Sequence, residues 1–142
     1  MEHNLHKAIK FLNSGDYTCV VCCGDTVYTT TARGVAPLLS WLDERTDLKG
    51  FSAADRVVGR GAAFLYCLLG VKEVHARVMS NPAAEVLRSY GIQAEADLFV
   101  EGIINRQGDG PCPFEAAVMS IQDAREALTA IRAKRMELQK GR

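Results

Sequence analysis

Residues 73–100 hold the pattern that most restricts what this chain can become. Val74, Ala76 and Val78 alternate in a strand pattern over Glu73 to Ser80, Pro82 to Tyr90 reads as a helix closed by Gly91, and Ile92 to Val100 reads as a further strand. A strand, a helix and a strand in quick succession pair as parallel neighbours through a right-handed crossover, with the helix lying on one face of the sheet. Ahead of this unit, Ser52 or Asp55 caps a longer predicted helix running to about Leu69, with Val58, Ala62, Leu65 and Leu69 as its apolar face. Gly59 and Gly61 within it each cost about 1 kcal/mol relative to alanine. That cost implies close approach of another backbone or of a ligand, or tight helix-on-strand packing.

The first half of the chain supplies a different kind of pairing. Leu5, Ala8, Ile9 and Leu12 recur at helical spacing, so residues 3–13 read as an amphipathic helix stopped by Asn13-Ser14-Gly15. Residues 17–23 and 26–31 are β-rich runs joined by Gly24-Asp25, two residues that accept positive φ and suit a tight hairpin. Val35 to Thr46 carries Leu38, Leu39 and Leu42 at helical spacing, with Pro37 in a first turn. After the strands, Ile103 to Pro113 is a rigid loop rich in glycine and proline, a helix opens near Phe114, and a last helix runs from about Asp123 to Gln139. The expectation is an α/β fold: a three-layer αβα sandwich, one domain over residues 1–142, whose mixed sheet begins with an antiparallel hairpin.

Composition removes several functions. Seventeen Lys and Arg balance seventeen Asp and Glu, which argues against a nucleic-acid partner even though Arg132, Lys134, Arg135, Lys140 and Arg142 make a basic tail. The longest apolar stretch, Gly61 to Val71, falls well short of the roughly 20 residues that cross a bilayer. The start Met1-Glu2-His3-Asn4 lacks the order of a signal peptide, so a reducing, cytoplasmic setting is expected. Cys19, Cys22, Cys23, Cys67 and Cys112 are odd in number, against a disulfide framework. Cys19 and Cys22 have C-x-x-C spacing but lie in a strand, where positions three apart face opposite sides roughly 10 Å from one another. His3, His6 and His75 are far apart in the predicted elements and have no cysteine at ligand spacing, so neither a metal nor another cofactor is expected.

The order of helix, hairpin, helix, strand, helix, strand resembles the cytidine deaminase-like fold. More closely, the chain resembles the uncharacterised DUF1893 family. The residues that carry this are Cys23-Gly24-Asp25, Gly34-Val35-Ala36-Pro37-Leu38-Leu39, Ala54-Asp55-Arg56-Val57-Val58-Gly59-Arg60 and Ile104-Asn105-Arg106-Gln107-Gly108-Asp109-Gly110-Pro111-Cys112-Pro113. The wider superfamily's zinc enzymes hold their metal through a His/Cys-Ala-Glu pattern and a Pro-Cys-x-x-Cys pattern at two helix N-termini. Matched to that resemblance, the first place reads Ala53-Ala54-Asp55-Arg56 and the second Pro82-Ala83-Ala84-Glu85-Val86, so the metal ligands are missing.

What the resemblance leaves is a crevice beyond the carboxyl ends of the parallel strands, where the helix turns after Ser52 and Asn81 would converge. The first reading is a nucleotide or related small molecule bound there. Asp55, Arg56 and Arg60 would contact a ribose or phosphate, Arg33 and Gly34 would lie at the rim, and Asn105 and Asp109 would approach from the loop. Helix capping by Asp55 and ion pairing by Arg56 and Arg60 stay open beside it. The second reading is a metal-free transferase or hydrolase using Cys112, whose thiol would sit at a helix N-cap, or Asp55. Glu115 reads as a carboxylate complementing a helix dipole. The third is a structural or interaction protein, a homo-oligomer assembled through the Leu38–Leu42 helix or the basic C-terminal helix.

Overall fold

The computed structural model describes residues 3–105 and 107–140. Arg106 of the glycine-rich block, Arg142 of the basic tail and the first two residues lie outside the described residues. The N-terminal helix α1 is Asn4–Ser14, followed by the hairpin β1 (Cys19–Cys23) and β2 (Thr26–Thr30) and by α2 (Ala36–Asp43). Then come β3 (Ser52–Val58), α3 (Arg60–Leu69), β4 (Glu73–Ser80), α4 (Asn81–Ser89) and β5 (Gln93–Val100). Two more helices, α5 (Pro113–Ala117) and α6 (Ala124–Lys140), end the described chain. The five strands form one mixed sheet in the order β2-β1-β3-β4-β5. The hairpin pairs β1 antiparallel with β2 and with β3, whereas β3, β4 and β5 run parallel.

One expected element is overturned. Residues 52–58 are a strand, not the first half of a long helix, and the helix starts only at Arg60 with Gly59 as its N-cap. Asp55 therefore caps nothing: it sits inside β3, opposite Cys19 of β1 and Ala76 of β4. The cause is a slip in side-chain alternation. Ala53, Val74 and Ala76 point into the main core, yet so do Val58 and Met79, although each strand's alternation should send these last two to the opposite face. Two successive residues on each strand, Arg56-Val57, Arg77-Val78 and Asp97-Leu98, share the other face instead, and the ladder pairs on both sides of that row stay in register. With the period of two broken in the middle, Val58, Ala62, Leu65 and Leu69 imitate a helical stripe.

The two faces of the sheet are covered unequally. Helices α2 to α6 pack together on one face over the main core of Leu38, Leu39, Phe64, Leu65, Tyr66, Met79, Leu87 and Ile131. Helix α1 lies alone on the other, burying Ala8 and Leu12 against Val20, Cys22 and Ala54. Cys19 and Cys22 accordingly belong to opposite cores, and all five cysteines are free thiols. Leu38 and Leu39 are each 1% exposed, so these two side chains of the Leu38–Leu42 helix are spent on the chain's own core. No helix among the described residues is long and apolar enough to cross a membrane.

Candidate functional site

The carboxyl ends of β3 and β4 lead directly into the N-termini of α3 and α4, as parallel strands with crossover helices must. Between these two helix starts lies one carboxylate. Glu115, from α5 and 5% exposed, accepts from Arg60 N at 2.8 Å and from the Ser80 hydroxyl through Oε2, and from Ile103 N at 2.7 Å through Oε1. Ser80 in turn accepts from Ala83 N at 3.1 Å, capping α4. Glu115 thus complements a dipole, as its position suggested, but that of α3 rather than of its own short helix.

The Arg60 side chain serves the same junction. It is 4% exposed, donates from Nε to the Val118 carbonyl at 3.0 Å and from Nη2 to the Ile121 carbonyl at 2.6 Å, and lies 5.2 Å from the Phe64 ring centroid. Its guanidinium joins the chain after α5 to α3. The two glycines around it are explained by the same contact. A Cβ on Gly61 would stand 3.1 Å from the Phe114 carbonyl oxygen, and one on Gly59 would stand 3.1 Å from Ile103 Cγ1 and 3.3 Å from Glu115 Oε2. The implied close approach of another backbone is present, and that backbone is α5.

A second polar cluster lies on the same face, one strand over. The Tyr66 hydroxyl of α3 donates to Asp55 Oδ2 at 2.6 Å, and Cys19 Sγ lies 3.1 Å from the same hydroxyl. Since the tyrosine proton goes to Asp55, the cysteine S–H is the donor of the second bond. Burial pushes Asp55 up to about 6, against the pull of Tyr66, the backbone N–H groups of Arg56 and Val57, and the Arg56 charge. Burial raises Tyr66 and Cys19 well above their ordinary values as well, so both remain protonated donors. The result is a chain of three groups that ends in a buried carboxyl able to change charge near neutrality.

The other predicted residues are distributed around this end of the sheet. Arg33 and Gly34 are exposed and follow β2, whose last residue Thr30 lies in the row Thr30, Cys19, Asp55 across three strands. Gly34 has φ 66°, a left-handed backbone that favours glycine. Asn105 and Asp109 spend their polar groups on one another: Asn105 Nδ2 donates to Asp109 Oδ1 at 2.9 Å, and Asn105 Oδ1 accepts from Gly108 N and Asp109 N. Cys112 stands at the N-cap of α5, its backbone N donating to the Ile103 carbonyl at 2.8 Å and its thiol capping nothing. Arg56 lies on the opposite face from Asp55, and its Nε is buried with no partner among the described residues.

The structure also moves the first of the two patterns carried by the resemblance. Ala53 to Arg56 lie within β3, and the helix N-terminus is Gly59-Arg60-Gly61, while Pro82-Ala83-Ala84 does open α4. A guanidinium, alanines and one carboxylate already bound by three donors do not fit a zinc ion, and no group of three His, Cys, Asp or Glu among the described residues is arranged to hold one. Sequence reasoning missed Tyr66, Ser80 and the bridging role of Glu115. Their partners lie 11, 35 and 55 residues away, and no local spacing signals such contacts.

Comparison with known proteins gives one family. The family model described as "Domain of unknown function (DUF1893)" matches residues 7–135. The fold is similar to the crystal structure of a DUF1893 family protein from Thermotoga maritima, with a TM-score of 0.84 and 27% identity over 94% of this chain and 92% of that one. No curated protein matches.

Proposed function

The chain belongs to the DUF1893 family, and from that footing we propose that it binds a nucleotide or a related small molecule at the carboxyl end of its parallel strands, on a cytidine deaminase-like fold. The observation that carries the reading is Asp55. A carboxyl pushed up to about 6 and held by the Tyr66 hydroxyl at 2.6 Å costs folding stability at neutral pH, as recognition groups in clefts often do. The strand order β2-β1-β3-β4-β5, with the α3 and α4 N-termini side by side, supports the fold assignment. Arg33 and Gly34 stand on the hairpin side of Asp55, and the Asn105–Asp109 loop reaches the α3 N-terminus through Ile103 and Glu115. Asp55 accepts hydrogen bonds from a ligand's N–H or O–H groups when ionised and donates one when protonated. Five free thiols suit a reducing, cytoplasmic setting.

Thermal unfolding in the presence of nucleotides, nucleosides and sugar phosphates tests the reading. A ligand at a hundred times its dissociation constant adds about 2.7 kcal/mol, and Asp55→Ala abolishes the response. Flat melting curves across all three classes refute it. No observation favours nucleophilic catalysis by Cys112, whose thiol makes no hydrogen bond among the described residues.

A further inference from the structure

The unequal cover of the sheet leaves a surface that the ligand reading does not use. On the face that α1 occupies alone, α1 packs on β1 and β3 and reaches β4 only at its end, where Arg77 Nη2 donates to Asn13 Oδ1 at 3.1 Å. No other described helix covers β4 and β5 on that side. Because of the slip in alternation, this open shelf carries two adjacent rows, Arg56, Arg77, Asp97 and Val57, Val78, Leu98. Val57 is 47% and Leu98 56% exposed, a contiguous apolar strip on a sheet whose parallel strands are ordinarily covered on both faces.

Charge says what covers it. Strand β5 has two acidic side chains, Glu95 and Asp97, and no basic residue; both lie on the open side, where the single imidazole of His75 on β4 stands 2.9 Å from Glu95 Oε1 and 3.3 Å from Asp97 Oδ1 and leaves each carboxylate a second oxygen. Helix α1 is the reverse, with Lys7 and Lys10 and no acidic residue. His6, Ile9, Lys10 and Asn13 line a depression of about 480 Å³ on the flank of α1, the flank that Arg77 reaches through Asn13. The shelf is therefore acidic at its outer strand and bounded by a wall that is basic and partly apolar. One helix lies on a face that has room for two.

We propose that a second copy of this chain covers the shelf, its α1 lying beside the first α1 across a two-fold axis, so that Lys10 of each copy meets Asp97 and Glu95 of the other and Leu98 is buried. Such a contact is self-complementary, since each copy supplies both the basic helix and the acidic strand. It also completes the second helical layer that one chain lacks.

Sedimentation velocity on the full chain at about 100 μM should return twice the 15.5 kDa chain mass. Leu98→Asp, Lys10→Glu and Asp97→Lys should each weaken dimerisation about tenfold or more while leaving the thermal unfolding of the monomer in place. Mixing the Lys10→Glu and Asp97→Lys proteins should restore a dimer, because each reversed charge then finds its opposite. A monomeric wild-type chain, a dimer indifferent to Leu98→Asp, or two charge variants that stay apart on mixing would each overturn the proposal. Dimerisation is measured without ligand, so a failure here is separate from a failure of nucleotide binding.

Discussion

Two carboxyl groups on the same face of the same sheet behave in opposite ways. Glu115 is contributed by a short late helix and accepts from three donors on three segments: Arg60 N, Ser80 Oγ and Ile103 N. Asp55 stands in the middle of a strand, is held by one side chain and its own neighbours, and keeps an elevated proton affinity because burial outweighs them. The first group joins remote parts of the chain, with three of its roughly four acceptor positions used in doing so. The second is placed where its charge is costly, held only by one neighbouring helix and its own strand. A carboxylate's role follows less from its depth than from whether its donors come from remote segments or from its own strand and one neighbouring helix.

The largest expected effect tests the first half of that contrast. Glu115→Ala strands two backbone N–H groups and a hydroxyl in a buried junction and should cost about 3–5 kcal/mol in urea unfolding. A loss below about 1 kcal/mol would show that Glu115 is not the joint described. Asp55 should do the reverse. Between about pH 4 and pH 6 the folded chain keeps a proton that the unfolded chain has released, so its contribution to stability falls as pH rises through that window. Asp55→Asn removes the dependence. It should match wild type near pH 4 and exceed it by about 2–3 kcal/mol at pH 8, where the carboxylate is charged in both states. Parallel pH profiles for the two proteins would erase the distinction.

Smaller effects sharpen it. Gly61→Ala pushes a methyl group toward the Phe114 carbonyl 3.1 Å away, and should cost about 1–3 kcal/mol by thermal unfolding because that obstacle is backbone. Cys112→Ser, at a half-buried thiol that caps nothing, should stay within about 0.5 kcal/mol of wild type. A larger loss would assign Cys112 to the Glu115 junction.

Periodicity made most of the fold legible. Glu73–Ser80 emerges as a strand with the bounds its alternation predicts, and the hairpin turn at Gly24-Asp25 joins β1 and β2 as expected. The exception is β3, hidden because Arg56 and Val57 face the same way and leave Val58 in helical step with Ala62 and Leu65. The candidate site was less legible. The sequence singles out Asp55 as a ligand contact or a helix cap and Arg60 as a ligand contact or an ion-pair partner, and neither reading contains the bonds they make. The carbonyls that engage Arg60 belong to Val118 and Ile121, 58 and 61 residues later. Spacing along a chain reports neighbours on one element, and both clusters are assembled across several.

The row through Arg56, Arg77 and Asp97 also limits how this architecture can change in length. Removing one residue there from a single strand would restore strict alternation with Val58 or Met79 still facing the core, but would shorten that strand against its neighbours and leave the pairs beyond the row out of step. Insertions and deletions at that latitude are tolerable only when three strands change together, so length variation belongs in the connections below the row.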